Sequence, residues 1–329
     1  MIHTDRRGAL KGLSLAAAAL WLPWGARSAR ATAPRVVAPL GPGGRALRIA
    51  HITDVHVQPE LKAGEGFSQC LSKIGDLSGD ERPDVIFNTG DCIMDSMDQD
   101  EARTRLQWDL WQKCLKDGPQ LPIEHCLGNH DIWGVNKKKS KTSGEEPRYG
   151  KKWACEIFGM EKPYRRFDRA GWAFIVLDSV LPLDGSYQGR LDPEQMEWFK
   201  GELKAIPSTT PIMILSHIPI LTVTPFGDDK KSPDKSWSIP ISRMMADFVD
   251  FRDLFRTHRN VKACISGHLH QLDHIEFEGV TYLCNGAVSG AWWKGKRNET
   301  DSGYALIDLF PDGRVQRKYV ESGWVPATP

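Results

Sequence analysis

The sequence predicts an α/β protein in which two mixed β-sheets pack face to face with helices on both outer faces, a four-layer α/β/β/α sandwich. Apolar runs of strand length alternate with helical patterns from residue 47 to residue 258, and the remainder of the chain is rich in strands. Polar side chains with metal-binding groups follow five of these runs. Because open α/β sheets bind ligands at the carboxyl ends of their strands, a site is expected there.

The first 31 residues are expected to form a secretory signal. Arg6-Arg7 precedes a weakly apolar stretch, residues 12–24, and Ala29-Arg30-Ala31 fits a cleavage site. The stretch is too short to span a membrane. Thr4–Lys11 resembles a twin-arginine signal, which predicts export by the twin-arginine machinery to a bacterial periplasm or exterior, with no membrane anchor after cleavage. An ordinary signal or an uncleaved anchor are the alternatives.

Residues 32–44 are rich in Pro, Gly and Ala and are expected to be a linker, followed by one domain over residues 45–322. Cleavage after residue 31 would leave 38 basic and 41 acidic residues of the chain's 43 and 42, a net charge of −3. Such a surface gives no general attraction to nucleic acid. The seven cysteines include no C-x-x-C pair, so we expect buried free thiols, with one isolated disulfide as the alternative.

The elements follow from periodicity and from helix-capping signals. Helices are expected at residues 66–77, at 99–115 with Leu106, Leu110 and Cys114 on one face, after the Asp192-Pro193 start signal, and at 242–258. Residues 132–150 and 219–241 lack periodicity and are expected to be long loops. Strands are expected at residues 47–52, 85–87, 123–127, 172–178, 212–215, 261–265, 275–277, 280–284, 304–309 and 315–320.

Five of these apolar runs end in residues that bind metals. The segments are Asp54-Val55-His56, Gly90-Asp91, Gly128-Asn129-His130-Asp131, His217 and Gly267-His268-Leu269-His270. Their oxygen and nitrogen donors suit Zn, Fe, Mn or Co and lack the thiolates of structural zinc. The candidate ligands are too many for one ion, so two ions sharing a bridging carboxylate are expected, and Asp91 is the natural bridge. Paired metals roughly 3.5–4 Å apart serve displacement at phosphorus.

These five motifs, in this order over residues 47–270, resemble those of the calcineurin-like metallophosphoesterases. The segment Asn285–Trp293 is also similar to bacterial members of that superfamily. The resemblance implies that Asp54, His56 and His270 bind one divalent or trivalent metal ion, that Asn129, His217 and His268 bind the other, and that Asp91 bridges them. It further implies that His130 contacts the phosphoryl group and protonates the leaving oxygen, and that Asp131 orients His130.

One position departs from a related group of enzymes. Purple acid phosphatases have a tyrosine ligand three residues after the bridging aspartate, whereas this chain has Met94 there. A tyrosinate-bound iron is therefore not expected.

The sequence thus predicts a secreted dinuclear metallophosphoesterase that acts on small-molecule phosphoesters by attack of a metal-bridging hydroxide. We favour phosphodiesters, because two loops with aromatic and basic residues are available for a second organic group. A phosphomonoesterase with the same site is the main alternative. A non-catalytic metal-binding interaction module is a further alternative, which the complete set of ligands disfavours.

Several other residues have both a structural and a functional interpretation. His51 and His125 lie within apolar strands and are expected in the core, and His258 is expected to interact with a helix C-terminus. The lysines of residues 137–141 are expected to be solvated, with a phosphate clamp as the alternative. Trp292-Trp293 and the basic residues after it either contact substrate or cover a sheet edge, and the sequence does not separate the two.

Overall fold

The computed structural model describes residues 44–227 and 238–327. The expected signal, residues 1–31, and the linker up to residue 43 lie outside the described residues. Within the described part, no helix is both long and apolar enough to cross a membrane.

The described chain contains six α-helices and thirteen strands, which run from residue 47 to residue 321. The helices are α1 (Ala63–Gly75), α2 (Glu101–Asp117), α3 (Lys137–Ser140), α4 (Lys152–Phe158), α5 (Pro193–Ala205) and α6 (Phe248–Thr257). The strands are β1 (Leu47–Ile52), β2 (Val85–Asn88), β3 (Ile123–His125), β4 (Arg165–Arg169), β5 (Trp172–Val176), β6 (Val180–Leu183), β7 (Ser186–Gly189), β8 (Ile212–Leu215), β9 (Val261–Ser266), β10 (Ile275–Phe277), β11 (Val280–Cys284), β12 (Gly303–Leu309) and β13 (Val315–Glu321).

Two mixed sheets form the centre of the fold, which confirms the predicted class. The first sheet has the order β13-β12-β1-β2-β3, and the second has the order β10-β11-β9-β8-β5-β4. Strands β1, β2 and β3 run parallel, as do β5, β8, β9 and β11, whereas the outer strands pair antiparallel. Strands β6 and β7 form a separate hairpin.

Alternating side chains of each strand enter different layers, because successive residues of a strand point to opposite faces. Ile49 of β1 packs between the sheets with Phe174 and Met213, whereas Ile52 packs outward with Phe67 and Trp111 of the first helical layer. The outer face of the second sheet packs against α5 and α6, mainly through four aromatic and aliphatic residues: Phe199, Leu203, Phe251 and Phe255. Three hydrophobic clusters therefore fill the three spaces between four layers.

Helix α2 buries a different face from the one expected. Leu106 is 50% exposed, and the residues that face the first sheet are Thr104, Trp108 and Trp111 together with the expected Cys114. Residues 104, 108 and 111 follow the helical repeat more closely than residues 106, 110 and 114, and the two tryptophans bury more apolar area than two leucines.

Helix α6 begins six residues later than predicted. The residues just before α6 do not form a helix and instead bond to other segments. Ala246 N–H donates to the carbonyl of Gly189, at the end of the β6–β7 hairpin, at 2.7 Å, and Met245 N–H donates to the Pro219 carbonyl at 2.9 Å. The β6–β7 hairpin, strand β4 and helices α3 and α4 were not predicted, because their short segments have no clear periodicity. Helix α3 lies within residues 132–150, which were expected to be a loop.

Candidate metal centre

The candidate ligands lie together at the carboxyl ends of five parallel strands. Asp54 and His56 follow β1, Asp91 follows β2, and Asn129 begins a 3-10 turn after β3 of the first sheet. The remaining ligands come from the second sheet, where His217 follows β8 and His268 and His270 follow β9. Each sheet thus contributes to one shared rim, which is where α/β sheets bind ligands.

The backbone at this rim is strained. Five of the seven candidate ligands have a left-handed φ: Asp54 at 51°, His56 at 47°, Asp91 at 54°, His268 at 73° and His270 at 57°. Side chains with a Cβ adopt this region at a cost of about 1–3 kcal/mol each, and such residues cluster at functional sites. The strained loops turn the side chains back over the strand ends.

Asp54, His56 and His270 form a first triad, whose possible ligand atoms all lie within 4.8 Å of one another. His56 Nε2 is 3.0 Å from His270 Nε2, and Asp54 Oδ1 is 3.3 Å from His270 Nε2. Asp54 Oδ1 is buried and has no hydrogen-bond partner among the described residues. A buried carboxylate oxygen without a donor, facing two imidazole nitrogens, is the arrangement that a cation would complete.

Asn129, His217 and His268 form a second triad beside the first. His217 Nε2 lies 3.1 Å from Asn129 Oδ1 and 3.1 Å from His268 Nδ1. Asp91 joins the two triads, because its Oδ2 is 3.2 Å from His217 Nε2 and 3.6 Å from His56 Nε2. The donor atoms therefore fit two adjacent ions that share the Asp91 carboxylate.

The charges at the site favour a bound cation. Burial would raise the pKa of the Asp54 carboxyl, but His270 and His217 together outweigh burial and hold the pKa below its ordinary value. Burial lowers the pKa of His268 to about 4, so this imidazole is neutral and able to bind a metal. At His217, burial is outweighed by Asp91 and Asp54, which raise the pKa to about 9. The buried carboxylates thus stabilise positive charge between them.

Backbone carbonyl groups orient three of the four imidazoles. In each of the three, the nitrogen that faces away from the site contacts a backbone carbonyl. His217 Nδ1 is 2.8 Å from the Thr89 carbonyl, His268 Nε2 is 2.7 Å from the Ser242 carbonyl, and His270 Nδ1 is 2.5 Å from the Gly290 carbonyl. Such contacts fix which nitrogen is left for the metal. His217 and His270 therefore present Nε2 to the site, and His268 presents Nδ1.

Two motif glycines allow the ligand loops to approach one another. A Cβ at Gly128 would lie 2.1 Å from Asp91 Oδ1, and a Cβ at Gly267 would lie 2.3 Å from Asp54 Oδ2. Neither position can accept a side chain without displacing a ligand carboxylate. The glycines that open G-N-H-D and G-H-x-H are therefore required by the packing of the ligands themselves.

Asp131 has a different role from the predicted orientation of His130. Its carboxylate accepts hydrogen bonds from three backbone N–H groups, those of Asp91 at 2.9 Å, Cys92 at 2.8 Å and Gly128 at 2.9 Å. It thereby ties the loop that carries Asp91 to the loop that carries Asn129. The side chain of Asp131 is fully buried, and its oxygens are directed at the backbone instead of at the His130 ring.

His130 lies at the half-open side of the centre. Its side chain is 26% exposed, and Nε2 is 4.0 Å from Asp91 Oδ2. The ring stands edge-on to His56, with 4.7 Å between centroids. Its backbone N–H donates to Asp91 Oδ1 at 2.8 Å, which holds the residue beside the shared carboxylate.

Two triads joined by a shared carboxylate, with a further histidine at the open side, are consistent with the family that the sequence matches. A family model for calcineurin-like phosphoesterases matches residues 47–272. The chain belongs to this family. It is a metallophosphoesterase, and its family implies divalent metal ions at the site.

Among curated proteins, this phosphoesterase is similar to two from cyanobacteria. It is 25% identical over 286 residues to a Synechococcus protein described as a probable cyclic nucleotide phosphodiesterase, covering 84% of this chain and 93% of the other. It is 25% identical over 287 residues to a Nostoc 3′,5′-cyclic-nucleotide phosphodiesterase, covering 84% and 90%. The matches extend over nearly the whole length of both relatives.

A solved structure has the same fold. The dimetal phosphatase from Danio rerio superposes with a TM-score of 0.56, at 14% identity, over 84% of this chain and 98% of that chain. At this identity the likeness supports the fold alone.

The histidines expected in the core lie there. His51 is buried and within 2.8 Å of the Thr89 hydroxyl, and burial lowers its pKa to about 3. His125 stacks on Phe158 with 4.2 Å between centroids. His258 Nδ1 is 2.9 Å from the Leu254 carbonyl at the end of α6, as expected for a residue that caps a helix C-terminus.

The lysines of residues 137–141 have local partners, which favours the solvated loop. Lys139 pairs with Asp98 at 2.5 Å, Lys141 pairs with Asp100 at 3.1 Å, and Lys137 lies over the ring of Tyr149. All seven cysteines carry free thiols in the structure, and six of them are buried.

The two adjacent tryptophans lie in different environments. Trp293 is 1% exposed in the hydrophobic cluster that contains Phe67 and Trp111, and its Nε1 donates to the His56 carbonyl at 3.0 Å. Trp292 lies at the metal centre, with its ring centroid 4.5 Å from that of His270. Trp293 therefore has a structural place in the core, and contact with substrate stays a prediction for Trp292.

Sequence reasoning missed Tyr187 on the hairpin. Its ring lies 6.0 Å from that of His268, beside the second triad, and burial together with Asp91 and Asp54 raises its pKa above the ordinary value. The short segment that carries Tyr187 has no strand-end motif. A hairpin that covers a site can be recognised only once the site is assembled.

Proposed function

We propose that the protein is a dinuclear phosphodiesterase that hydrolyses 3′,5′-cyclic nucleotides. The observation that carries the proposal is the pair of triads around Asp91, with His130 at their half-open side. Both full-length relatives are described as cyclic nucleotide phosphodiesterases, which supports the diester class.

The first ion would be held by Asp54 Oδ1, His56 Nε2 and His270 Nε2. The second would be held by Asn129 Oδ1, His217 Nε2 and His268 Nδ1, with Asp91 Oδ2 shared. Two ions bound there supply Lewis acidity toward the phosphoryl oxygens and a nucleophilic water at neutral pH. The protein contributes fixed donor directions through the carbonyls of Thr89, Ser242 and Gly290.

His130 would assist the leaving group. In the hydrolysis, an oxygen from water forms a bond to phosphorus, and the bond between phosphorus and the ester oxygen breaks. His130 Nε2 gives its proton to the departing oxygen, and the proton that water loses restores His130. His130 Nε2 lies 4.0 Å from Asp91 Oδ2, which puts the imidazole beside the residues that would hold the ions.

A substrate panel on metal-loaded protein tests this proposal. We expect turnover of 3′,5′-cyclic AMP and bis(p-nitrophenyl) phosphate to exceed that of p-nitrophenyl phosphate, with two metal equivalents by elemental analysis. Greater turnover of the monoester would show that the phosphomonoesterase alternative is correct. Turnover of the aryl diester without any of the cyclic nucleotide would keep the diesterase class and refute the substrate.

We also propose that the protein is exported by the twin-arginine pathway to the periplasm or beyond. The support is the sequence from Thr4 to Ala31, which lies outside the described residues. Replacing Arg6-Arg7 by Lys-Lys should leave folded precursor in the cytoplasm, as measured by cell fractionation. Normal export of that variant would refute the pathway.

A further inference from the structure

The ring of Trp292 lies beside the first triad but belongs to neither triad. Its centroid is 4.5 Å from that of His270 and 6.1 Å from that of His56. Both nitrogens of His270 are already directed at other groups, Nδ1 at the Gly290 carbonyl and Nε2 at Asp54. The tryptophan is partly exposed, so it presents aromatic surface next to the reacting position.

A strained turn holds this ring in place. Trp292 and Trp293 both have left-handed φ values, 52° and 68°, which are unusual for bulky residues. Trp293 anchors the turn in the core: its Nε1 donates to the His56 carbonyl, and a Cβ on Gly66 would come within 2.3 Å of its ring. Because the buried Trp293 restrains the turn, less freedom of Trp292 has to be lost on binding, which lowers the entropic cost.

A cation accompanies the ring. The guanidinium of Arg297 lies 6.0 Å from the centroid of the Trp292 ring. Aromatic rings combined with arginine are the usual surfaces for nucleobases, and each stacked base contributes about 1–3 kcal/mol. A phosphoester without a planar ring would have no group to place there.

We propose that Trp292 binds the nucleobase of the substrate and thereby selects phosphoesters that carry a planar aromatic group. The inference rests on the proposed function, since it places the base of a nucleotide next to the ions that act on its phosphate. Trp292 is then a specificity-determining residue, and the triads together with His130 act on the phosphate.

Two phosphate compounds, one with a nucleobase and one without, test the proposal. Binding of 5′-AMP and of ribose 5-phosphate, which differ by the base alone, would be measured by calorimetry on the metal-loaded full chain. Wild-type protein should prefer 5′-AMP. Trp292→Ala should weaken 5′-AMP binding roughly ten- to hundredfold, in line with the loss of one stacked base, while binding of ribose 5-phosphate is little changed. Trp292→Phe should keep most of the preference.

Two further variants serve as controls. Trp198→Ala makes the same exchange at a partly exposed tryptophan on α5, where the ring packs on Tyr164 at 4.8 Å, and it should leave the preference intact. Trp292→Leu keeps apolar bulk without an aromatic face and should behave like Trp292→Ala even if the smaller residue destabilises the fold.

Three results would overturn the inference. Equal weakening of both ligands, or loss of metal from Trp292→Leu, would show that the ring acts by supporting His270. Absence of any preference for 5′-AMP in wild-type protein would show that no base binds. Failure of the proposed function would be a separate result. It would appear as no turnover of cyclic nucleotide, whereas the affinities for 5′-AMP and ribose 5-phosphate can be measured in either case.

Discussion

The two triads have similar donor atoms, but different parts of the fold support them. The first triad is fully buried, with exposures of 0% for Asp54, 0% for His56 and 2% for His270. It is supported by the core, since the His56 carbonyl accepts from the buried Trp293 and Asp54 Oδ2 accepts from Thr53 Oγ1 at 2.8 Å.

The second triad depends on the periphery. His268 is only half-buried, and its outer nitrogen contacts the carbonyl of Ser242, which lies in the irregular segment before α6. That segment is held to the hairpin by Gly189 N–H, which donates to the Ile241 carbonyl at 2.7 Å. Similar ligand sets can thus have unequal rigidity, because the free energy of local opening follows the burial of the supporting elements.

Asp91→Asn should have the largest effect, because it removes the charge that both triads share. We expect loss of at least one metal equivalent and near-complete loss of activity, well beyond the ~10–100-fold cost of losing an outer hydrogen-bond partner. Elemental analysis measures the metal content, and turnover of a diester measures the activity. Asp84→Asn, at the exposed opposite end of β2, is the matched control. Two retained metals with normal turnover would mean that Asp91 is not the bridge.

His130→Ala should come next, because His130 belongs to neither triad. Both metals should be retained, and alkyl phosphodiesters should lose about 10²–10⁴-fold in rate, roughly 3–5 kcal/mol of barrier. Nitrophenyl esters should lose far less, since an acidic phenol departs without a proton. His274→Ala, an exposed histidine paired with Glu276, is the control.

Equal losses on both kinds of ester would assign His130 to charge stabilisation at the phosphoryl oxygens. Loss of metal would place it among the ligands.

Asp131→Asn tests the corrected role of this carboxylate. The amide would set an N–H group against backbone N–H donors, so the loops of Asp91 and Asn129 should separate. We expect lower metal affinity and a loss of about 10–100-fold on alkyl and nitrophenyl esters alike. A loss confined to alkyl esters, with full metal content, would instead restore the predicted orientation of His130.

Chelation kinetics should reveal the unequal support directly. His268→Ala leaves the first triad intact, and His270→Ala leaves the second intact, so each variant should retain one ion. We expect the ion held by the second triad to leave about tenfold faster under a chelator, as its support is peripheral. Time-resolved elemental analysis gives the rates. Equal rates would mean that burial of the supporting elements does not control release.

The smallest effect should come from the charged loop that contacts neither triad. In Lys139→Ala with Lys141→Ala, two exposed ion pairs with Asp98 and Asp100 are lost, and they contribute little to stability because water and salt screen them. KM for phosphodiesters and metal content should stay unchanged in steady-state assays. A higher KM for anionic substrates alone would favour the phosphate clamp.

The grouping of the seven candidate ligands could be predicted from the sequence because each follows an apolar run. Strand length, the polar residues after it and the glycines that precede Asn129 and His268 are local properties, and parallel strands bring their carboxyl ends to one edge. The layer order followed from the same pattern. For His51 and His125, an apolar strand around a lone histidine was sufficient to predict the core.

Only the tertiary structure decided the groups that support these ligands. The carbonyls that orient His217, His268 and His270 come from Thr89, Ser242 and Gly290, and a backbone carbonyl has no residue type to recognise. Asp131 stands beside His130 in sequence, yet its carboxylate turns to the backbone of the Asp91 loop.

The separation of Trp292 from Trp293 has the same cause. Both residues are identical in type and adjacent in sequence, and their different environments follow from a left-handed turn and from Gly66, more than 200 residues earlier in the chain. The chain alone determines which groups can bind metal, because that chemistry belongs to side chains. Which of them share an ion, and what holds them there, depends on contacts between segments distant in sequence.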